Sequence, residues 1–201
     1  MTGVLHLLRH GKTHANENRL YCGATDLPLS ENGEKALEAL KRAGIYPAPA
    51  ALFVTSGMLR TAQTLGVLYG GVAYETVPGL AEFRFGQFEM QSYEDLKDDG
   101  AYQAWITDET GDVPCPGGES KNLFAQRVTG GFNALLANAL LTKTAQQGCV
   151  SVLAVTHGGV IAFLMDMLFP GKHHFYEWQP EPGRGYTLQY TDGVCTGYDK
   201  I

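Results

Sequence analysis

Apolar positions recur along this chain in two periods, and the exchange between them predicts a layered fold. Residues 4–8 form a short apolar run that stops abruptly at Arg9-His10-Gly11, as a buried strand does on meeting a loop. Leu52–Thr55 and residues 72–77, 150–155 and 186–190 read as further strands. The run at 150–155 is continuous and is the pattern of a strand covered on both faces. Between these runs the period lengthens. Ala36, Leu37, Ala39, Leu40 and Ala43 fall at helical spacing, with Ser30 placed to cap the start and Gly44 to close the end. Met58, Ala62, Leu65 and Leu68 mark a second helix face, closed by Gly70-Gly71. Phe124, Val128, Phe132, Leu135 and Ala139 trace a long helix weakened at Gly130-Gly131, and residues 160–168 give one more. The stretch 78–119 breaks this rhythm: it is aromatic, acidic and irregular, with one helix predicted over 93–105.

Strands alternating with helices predict a three-layer α/β/α sandwich around a mostly parallel sheet, with 78–119 as a cap-like insertion. At 201 residues the chain suits one domain spanning 1–201. In such sheets ligands sit beyond the carboxyl ends of the strands. Three loops there carry unusual polar residues: Arg9-His10-Gly11, Ser56-Gly57-Met58-Leu59-Arg60 and Thr156-His157-Gly158-Gly159.

Charge and composition narrow the partners. A net charge of −6 argues against a nucleic-acid binder, which would show a basic stripe, but leaves room for a locally positive phosphate pocket. A hydrophobic content of 44% excludes a disordered chain. The start of the sequence lacks the apolar core of a signal peptide, and residues 160–169, interrupted by Asp166, are too short to cross a bilayer. Cys22, Cys115, Cys149 and Cys195 are scattered and are expected to be free thiols. These features point to a cytoplasmic protein with a small-molecule partner and neither a nucleic-acid nor a membrane partner; a homodimer stays open.

Several motifs fail on spacing. Gly11-Lys12-Thr13 ends like a phosphate-binding P-loop, but the required earlier glycine is replaced by His6. No cysteine has an arginine six positions on, and no serine sits in a nucleophile elbow. His173-His174 lacks a completing carboxylate and reads as loop surface rather than a metal site. What remains is Arg9, His10, Arg60 and His157 at neighbouring strand ends. Guanidinium forks suit phosphate oxygens. A neutral imidazole can attack phosphorus, and a second, if protonated, can donate to an equatorial oxygen. Gly11 and Gly158 are expected to let the backbone approach the phosphate. The leaving group needs an acid, for which Glu82, Glu89 and Glu75 are all candidates.

The chain resembles the histidine phosphatase superfamily, the phosphoglycerate-mutase-like proteins. The matching blocks run in order: residues 8–13 with Asn16, then Cys22-Gly23, 26–30 with Gly33, 56–64, Glu82 with 86–89, 116–120 and 156–159. The resemblance implies that His10 is a phosphohistidine nucleophile. Arg9, Arg60 and His157 complete the phosphate pocket, and Glu82 is proton donor and later base. Asn16, Cys22, Gly23 and Gly158 would line the substrate side. It implies the same sandwich fold and needs no metal or cofactor. The chain departs at Lys12, where Glu or Gln is frequent, and at Met90, where Gly often follows Phe88-Glu89. Lys12 adds positive charge at the pocket mouth. The aromatic and acidic makeup of 78–119 favours hydrolysis of a phosphomonoester, α-ribazole phosphate among them. The alternatives are a cofactor-dependent phosphoglycerate mutase and a phospholigand-binding protein without turnover.

Overall fold

Successive residues of three central strands face two different cores. In the computed structural model, Leu5, Leu7, Leu52, Val54, Val152 and Ala154 pack into one core, while Leu8, Phe53, Leu153 and Val155 pack into the other. A period of two with both faces apolar is what a covered parallel sheet requires, and each fully buried leucine contributes roughly 2 kcal/mol. The structure describes residues 2–147 and 149–201, and side-chain surroundings for 3–137 and 151–201.

The elements in chain order are β1 (Thr2–Arg9), α1 (His14–Glu17), α2 (Glu31–Arg42), β2 (Leu52–Thr55), α3 (Leu59–Tyr69), β3 (Glu75–Thr76), α4 (Tyr93–Leu96), α5 (Gly100–Ile106), α6 (Lys121–Gln147), β4 (Cys149–Thr156), α7 (Gly158–Leu168), β5 (Gly185–Thr191) and β6 (Val194–Lys200). The sheet runs β3-β2-β4-β1-β5-β6. Strands β3, β2, β4 and β1 are parallel, while β5 and β6 add antiparallel at one side. Leu37, Leu65 and Leu68 from α2 and α3 cover one face. Phe124, Val128, Phe132 and Leu135 of α6, with Val160, Ile161 and Leu164 of α7, cover the other. The expected sandwich and mostly parallel sheet are therefore present.

Local signals account for most boundaries. Ser30 caps α2 by accepting from Gly33 N at 3.0 Å, and Gly44 follows it with φ +69°. Ala139, Val150 and Cys149, singled out in the sequence, lie outside the described side chains; Cys22, Cys115 and Cys195 are free thiols.

Three expectations change. The strand expected over 72–77 shrinks to Glu75–Thr76, which is exposed and paired only with β2. The helix expected over 93–105 is two helices. Asp99 accepts from Tyr102 N at 2.8 Å and starts a new helix at Gly100, so the first one stops at Leu96. Strand β6 was not expected at all. Its signal is Asp192-Gly193, whose φ of +51° and +80° fit the two-residue turn that closes a hairpin.

Segment 78–119 folds around rings rather than aliphatics. Phe83, Phe88, Tyr102 and Trp105 are buried together, with Tyr21 and Phe85 against them. Four of its acids do other work: Asp95 and Asp99 bond helix starts, and Glu94 and Asp98 are exposed. The charge of these four belongs to the surface and gives hydrolysis no support. Met90 holds φ +61°, which explains why glycine suits that position; its N–H donates to Tyr21 O at 2.7 Å.

Candidate active site

Strand register builds this site. Arg9 pairs with Thr156 across β1 and β4, and Thr55 pairs with Val155 across β2 and β4. The residues one step beyond, His10, His157 and Ser56, are therefore brought side by side where the three strands end. The rings of His10 and His157 meet edge to face with centroids 5.1 Å apart. His10 is 5% exposed and His157 is fully buried. His10 N donates to Thr156 O at 3.0 Å, tying the two loops together.

The tautomer of His10 is fixed. Its Nδ1 lies 2.7 Å from Gly11 O, an acceptor only, so Nδ1 carries the proton and Nε2 keeps its lone pair. Gly11 N donates to Thr64 Oγ1 at 2.9 Å, which in turn donates to Arg60 O, so this carbonyl is anchored to α3. Burial, with the charges of Arg60 and Arg9 adding to it, pulls the His10 pKa down to about 3 against the bond to Gly11. Burial also holds His157 well below the ordinary imidazole range, with His10, Arg60 and Arg9 acting in the same direction. Both rings are neutral without an anion. His157 Nε2 meets Ser56 Oγ at 2.8 Å, and its Nδ1 has no partner.

Neutral burial has a price in acid. An imidazole with a folded pKa near 3 and an unfolded value of 6.5 binds fewer protons folded than unfolded between those limits, so stability falls as pH drops through that window. From pH 7 to pH 5, His10 alone is expected to remove about 2 kcal/mol, and His157 acts in the same sense. Urea midpoints across that range check this; a His10→Asn chain should lose less stability over the same interval, and equal losses would count against a neutral His10.

Arg60 heads α3 and is 1% exposed. Its Nη1 donates to Thr25 O at 3.0 Å and its Nη2 to Gly23 O at 2.8 Å. Asp26 accepts from Leu59 N at 2.8 Å and so caps α3 from outside. Arg9 Nη1 donates to Pro180 O at 2.7 Å, while its buried Nε is unpartnered. Two buried nitrogens of this cluster, Arg9 Nε and His157 Nδ1, are thus left without a protein partner; a buried orphan is costly unless something binds there.

Three carboxylates can now be told apart. Glu75 is exposed on the outermost parallel strand. Glu89 is saturated: it accepts from the N–H groups of Gly23, Ala24, Thr25 and Phe85 and from the Thr25 hydroxyl. It shapes the loop whose carbonyls hold Arg60. Glu82 accepts one backbone N–H on each oxygen, from Phe83 at 2.9 Å and from Gly159 at 3.0 Å in the first turn of α7, and keeps acceptor capacity on both. Its charge acts on Arg9 and on the Cys22 thiol. The backbone of 79–82 is fixed by Arg127, which donates to the carbonyls of Gly79, Ala81 and Glu82 and pairs with the buried Glu119. Sequence reasoning missed Arg127, Glu119 and the role of Ser56; only Ser56, immediately beyond a strand, left a readable signal.

The remaining residues divide. Asn16 Oδ1 accepts from Thr13 N at 3.0 Å and the residue lines a cleft beside Arg9. Cys22 Sγ donates to Thr25 O at 3.4 Å, next to the Arg60 cradle. Gly23 supplies a carbonyl to Arg60, and a Cβ there would strike Phe83 O. The two glycines expected to admit phosphate have other reasons. A Cβ on Gly11 would sit 2.6 Å from Leu37, in the core. One on Gly158 would sit 2.5 Å from Gln179 Nε2 and 3.0 Å from the Arg9 guanidinium carbon, so Gly158 makes room for Arg9.

The family model of the histidine phosphatase superfamily (branch 1) matches residues 5–196. The chain belongs to this superfamily. It is 34% identical over 200 residues to the adenosylcobalamin/alpha-ribazole phosphatase of Salmonella typhimurium, covering 96% of this chain and 93% of that protein. The crystal structure of the alpha-ribazole phosphatase from Shigella flexneri superposes with a TM-score of 0.77 at 26% identity, covering 96% and 93% of the two chains. A 2,3-bisphosphoglycerate-dependent phosphoglycerate mutase of Xanthobacter autotrophicus is 31% identical over 127 residues, only 58% of this chain and 60% of that one. The chain is an enzyme of the phosphatase type. Among the described residues no helix is long and apolar enough to cross a membrane.

Proposed function

We propose that this phosphomonoester hydrolase works through a phosphohistidine on His10 Nε2 and takes α-ribazole phosphate as its small phosphorylated metabolite, in the cytoplasm. In this reading the chain is one domain, with 78–119 as its cap. The observation that carries it is the pair of buried, unpartnered nitrogens, Arg9 Nε and His157 Nδ1, beside an imidazole whose Nε2 lone pair is free.

The phosphate accepts from Arg9, Arg60 and His157 in place of water. Its negative charge favours a protonated His157, which binds that proton from solvent together with the substrate, so that Nδ1–H donates to an equatorial oxygen as charge moves there. His10 Nε2 forms the N–P bond while the bond from phosphorus to the alcohol oxygen breaks. That oxygen leaves with the bonding pair and takes a proton from Glu82. Gly11 O accepts from Nδ1–H throughout and steadies the positive ring of the phosphohistidine. Water then attacks phosphorus, Glu82 removes its proton, and the N–P pair returns to Nε2. Most of the work is positioning and charge, as phosphoryl transfer requires.

Phosphate release from α-ribazole phosphate, with and without chelator, tests this. We expect kcat/KM at least about tenfold above that for p-nitrophenyl phosphate, since the remote part of the substrate adds binding energy. Interconversion of phosphoglycerates faster than phosphate release would replace it with the mutase reading. Tight binding without release would replace it with the binding-protein reading.

A further inference from the structure

Behind His157 runs a chain of buried hydroxyls whose direction can be read. It passes from the residue after β4 through Ser56, the residue after β2, to Thr61 in the first turn of α3, and all three side chains are buried. At the far end Met58 O can only accept, so Thr61 Oγ1, 2.6 Å away, gives its one proton there. Thr61 Oγ1 is then an acceptor toward Ser56 Oγ at 3.3 Å, and Met58 N donates to Ser56 Oγ at 3.4 Å. Ser56 has two directions left for its own proton: Thr61, or His157 Nε2 at 2.8 Å. The other ring nitrogen decides between them, since Nδ1 is buried and has no protein partner. Were Ser56 to donate to Nε2, the neutral ring would carry its proton on Nδ1, a buried N–H without an acceptor. With Ser56 donating to Thr61, Nε2–H donates to Ser56, every proton in the chain meets an acceptor, and Nδ1 keeps a lone pair. A buried N–H left over is rarer in folded proteins than a buried acceptor left over.

We infer that Ser56 is a positioning residue that holds neutral His157 in its Nε2–H form, so that the ring can donate to phosphate only after one proton is taken up at Nδ1. Charges around the ring oppose that proton until an anion is present: His10 and Arg9 from the end of β1, Arg60 from α3 and Arg127 from α6. Glu82, which accepts from Gly159 N, is the carboxylate at this end of α7. Phosphate and proton therefore bind as a unit, and Ser56 sets that stoichiometry without itself touching the phosphate. The inference rests on the reading of His157 as a phosphate ligand.

Two measurements on the full chain test it. In phosphate-free protein carrying nitrogen-labelled histidine, the ring signals that vanish in His157→Asn should show a protonated Nε2 and a bare Nδ1; a proton on Nδ1 overturns the inference. Calorimetric titration of inorganic phosphate in buffers of different ionisation heat should then give about one proton taken up per phosphate at about pH 8.5, with affinity falling about tenfold between about pH 8 and pH 9. A guanidinium has no proton to gain, and burial holds His10 at about 3, so neither accounts for that uptake. Ser56→Ala lets the neutral ring move its proton to Nδ1, so uptake should fall below about half a proton and the pH dependence should flatten. A purely structural Ser56 would weaken phosphate at every pH and leave the proton count unchanged. Glu82→Gln should keep the proton; its loss there would place the proton on the carboxylate and overturn the inference. Uptake that survives Ser56→Ala, or phosphate binding without uptake in the unaltered protein, overturns it as well. Hydrolysis of p-nitrophenyl phosphate by the unaltered protein reports on the pocket separately: turnover with no proton uptake removes the role of Ser56 and leaves the reaction.

Discussion

His10→Ala is expected to lower kcat for p-nitrophenyl phosphate by at least about four orders of magnitude while inorganic phosphate still binds within a fewfold of its original affinity. The two halves of that result have different physical origins. In the proposed mechanism phosphate is held by Arg9, Arg60 and His157, none of which depends on the His10 ring for its anchor: Arg9 hangs on Pro180 O, Arg60 on the carbonyls of Gly23 and Thr25, and His157 on Ser56. Turnover in that mechanism depends on one lone pair. No other described nucleophile is fixed at the same point, and deleting a positioned nucleophile removes most of the rate advantage that a preorganised site supplies. Steady-state assays alongside calorimetric titration of phosphate check both halves. Retention of more than about 1% of kcat would take the role from His10.

The second large effect is a split rather than a loss. Glu82→Gln is expected to reduce kcat/KM for an alkyl phosphate about 10³-fold and for p-nitrophenyl phosphate less than about tenfold. This quantity reports formation of the phosphoenzyme. An alkoxide needs a proton to depart; p-nitrophenolate does not. Glutamine keeps the shape of the side chain but accepts at one end only, so one of the bonds from Phe83 N and Gly159 N is lost, and the small loss on p-nitrophenyl phosphate measures that structural cost. Glu89→Gln, by contrast, should harm both substrates together, because it loosens the loop that holds Arg60. A leaving-group split from Glu89 instead of Glu82 would exchange their roles.

Residues 9, 10, 60 and 157 were legible in the sequence for a topological reason. Arg9 ends a strand, His10 and His157 follow directly on one, and Arg60 lies in the first turn of the helix after one; a parallel sheet brings such points to one edge. The choice among Glu75, Glu89 and Glu82 was not legible, since it turns on which carboxylate is already saturated. Glu89 accepts from residues 64 to 66 positions away, and no local pattern announces that. The roles given to Gly11 and Gly158 failed similarly: what a missing Cβ makes room for, Leu37 or Arg9, depends on the assembled core. The Glu119–Arg127 pair is a third case, a buried charge that fixes the Glu82 segment from behind. Two misses were avoidable. Asp99-Gly100 marks a new helix start, and Asp192-Gly193 marks a hairpin, each by ordinary capping or turn chemistry.

Rapid-quench labelling reaches the central claim with least inference between structure and result. Because Nδ1 of His10 is committed to Gly11 O, the proposed mechanism attaches phosphate at Nε2. Mixing the protein with phosphorylated substrate, quenching in alkali and mapping the label should give one acid-labile phosphohistidine, at residue 10, of the Nε2 isomer. Label on another residue, the Nδ1 isomer, or turnover with no phosphoenzyme at any quench time would contradict the account.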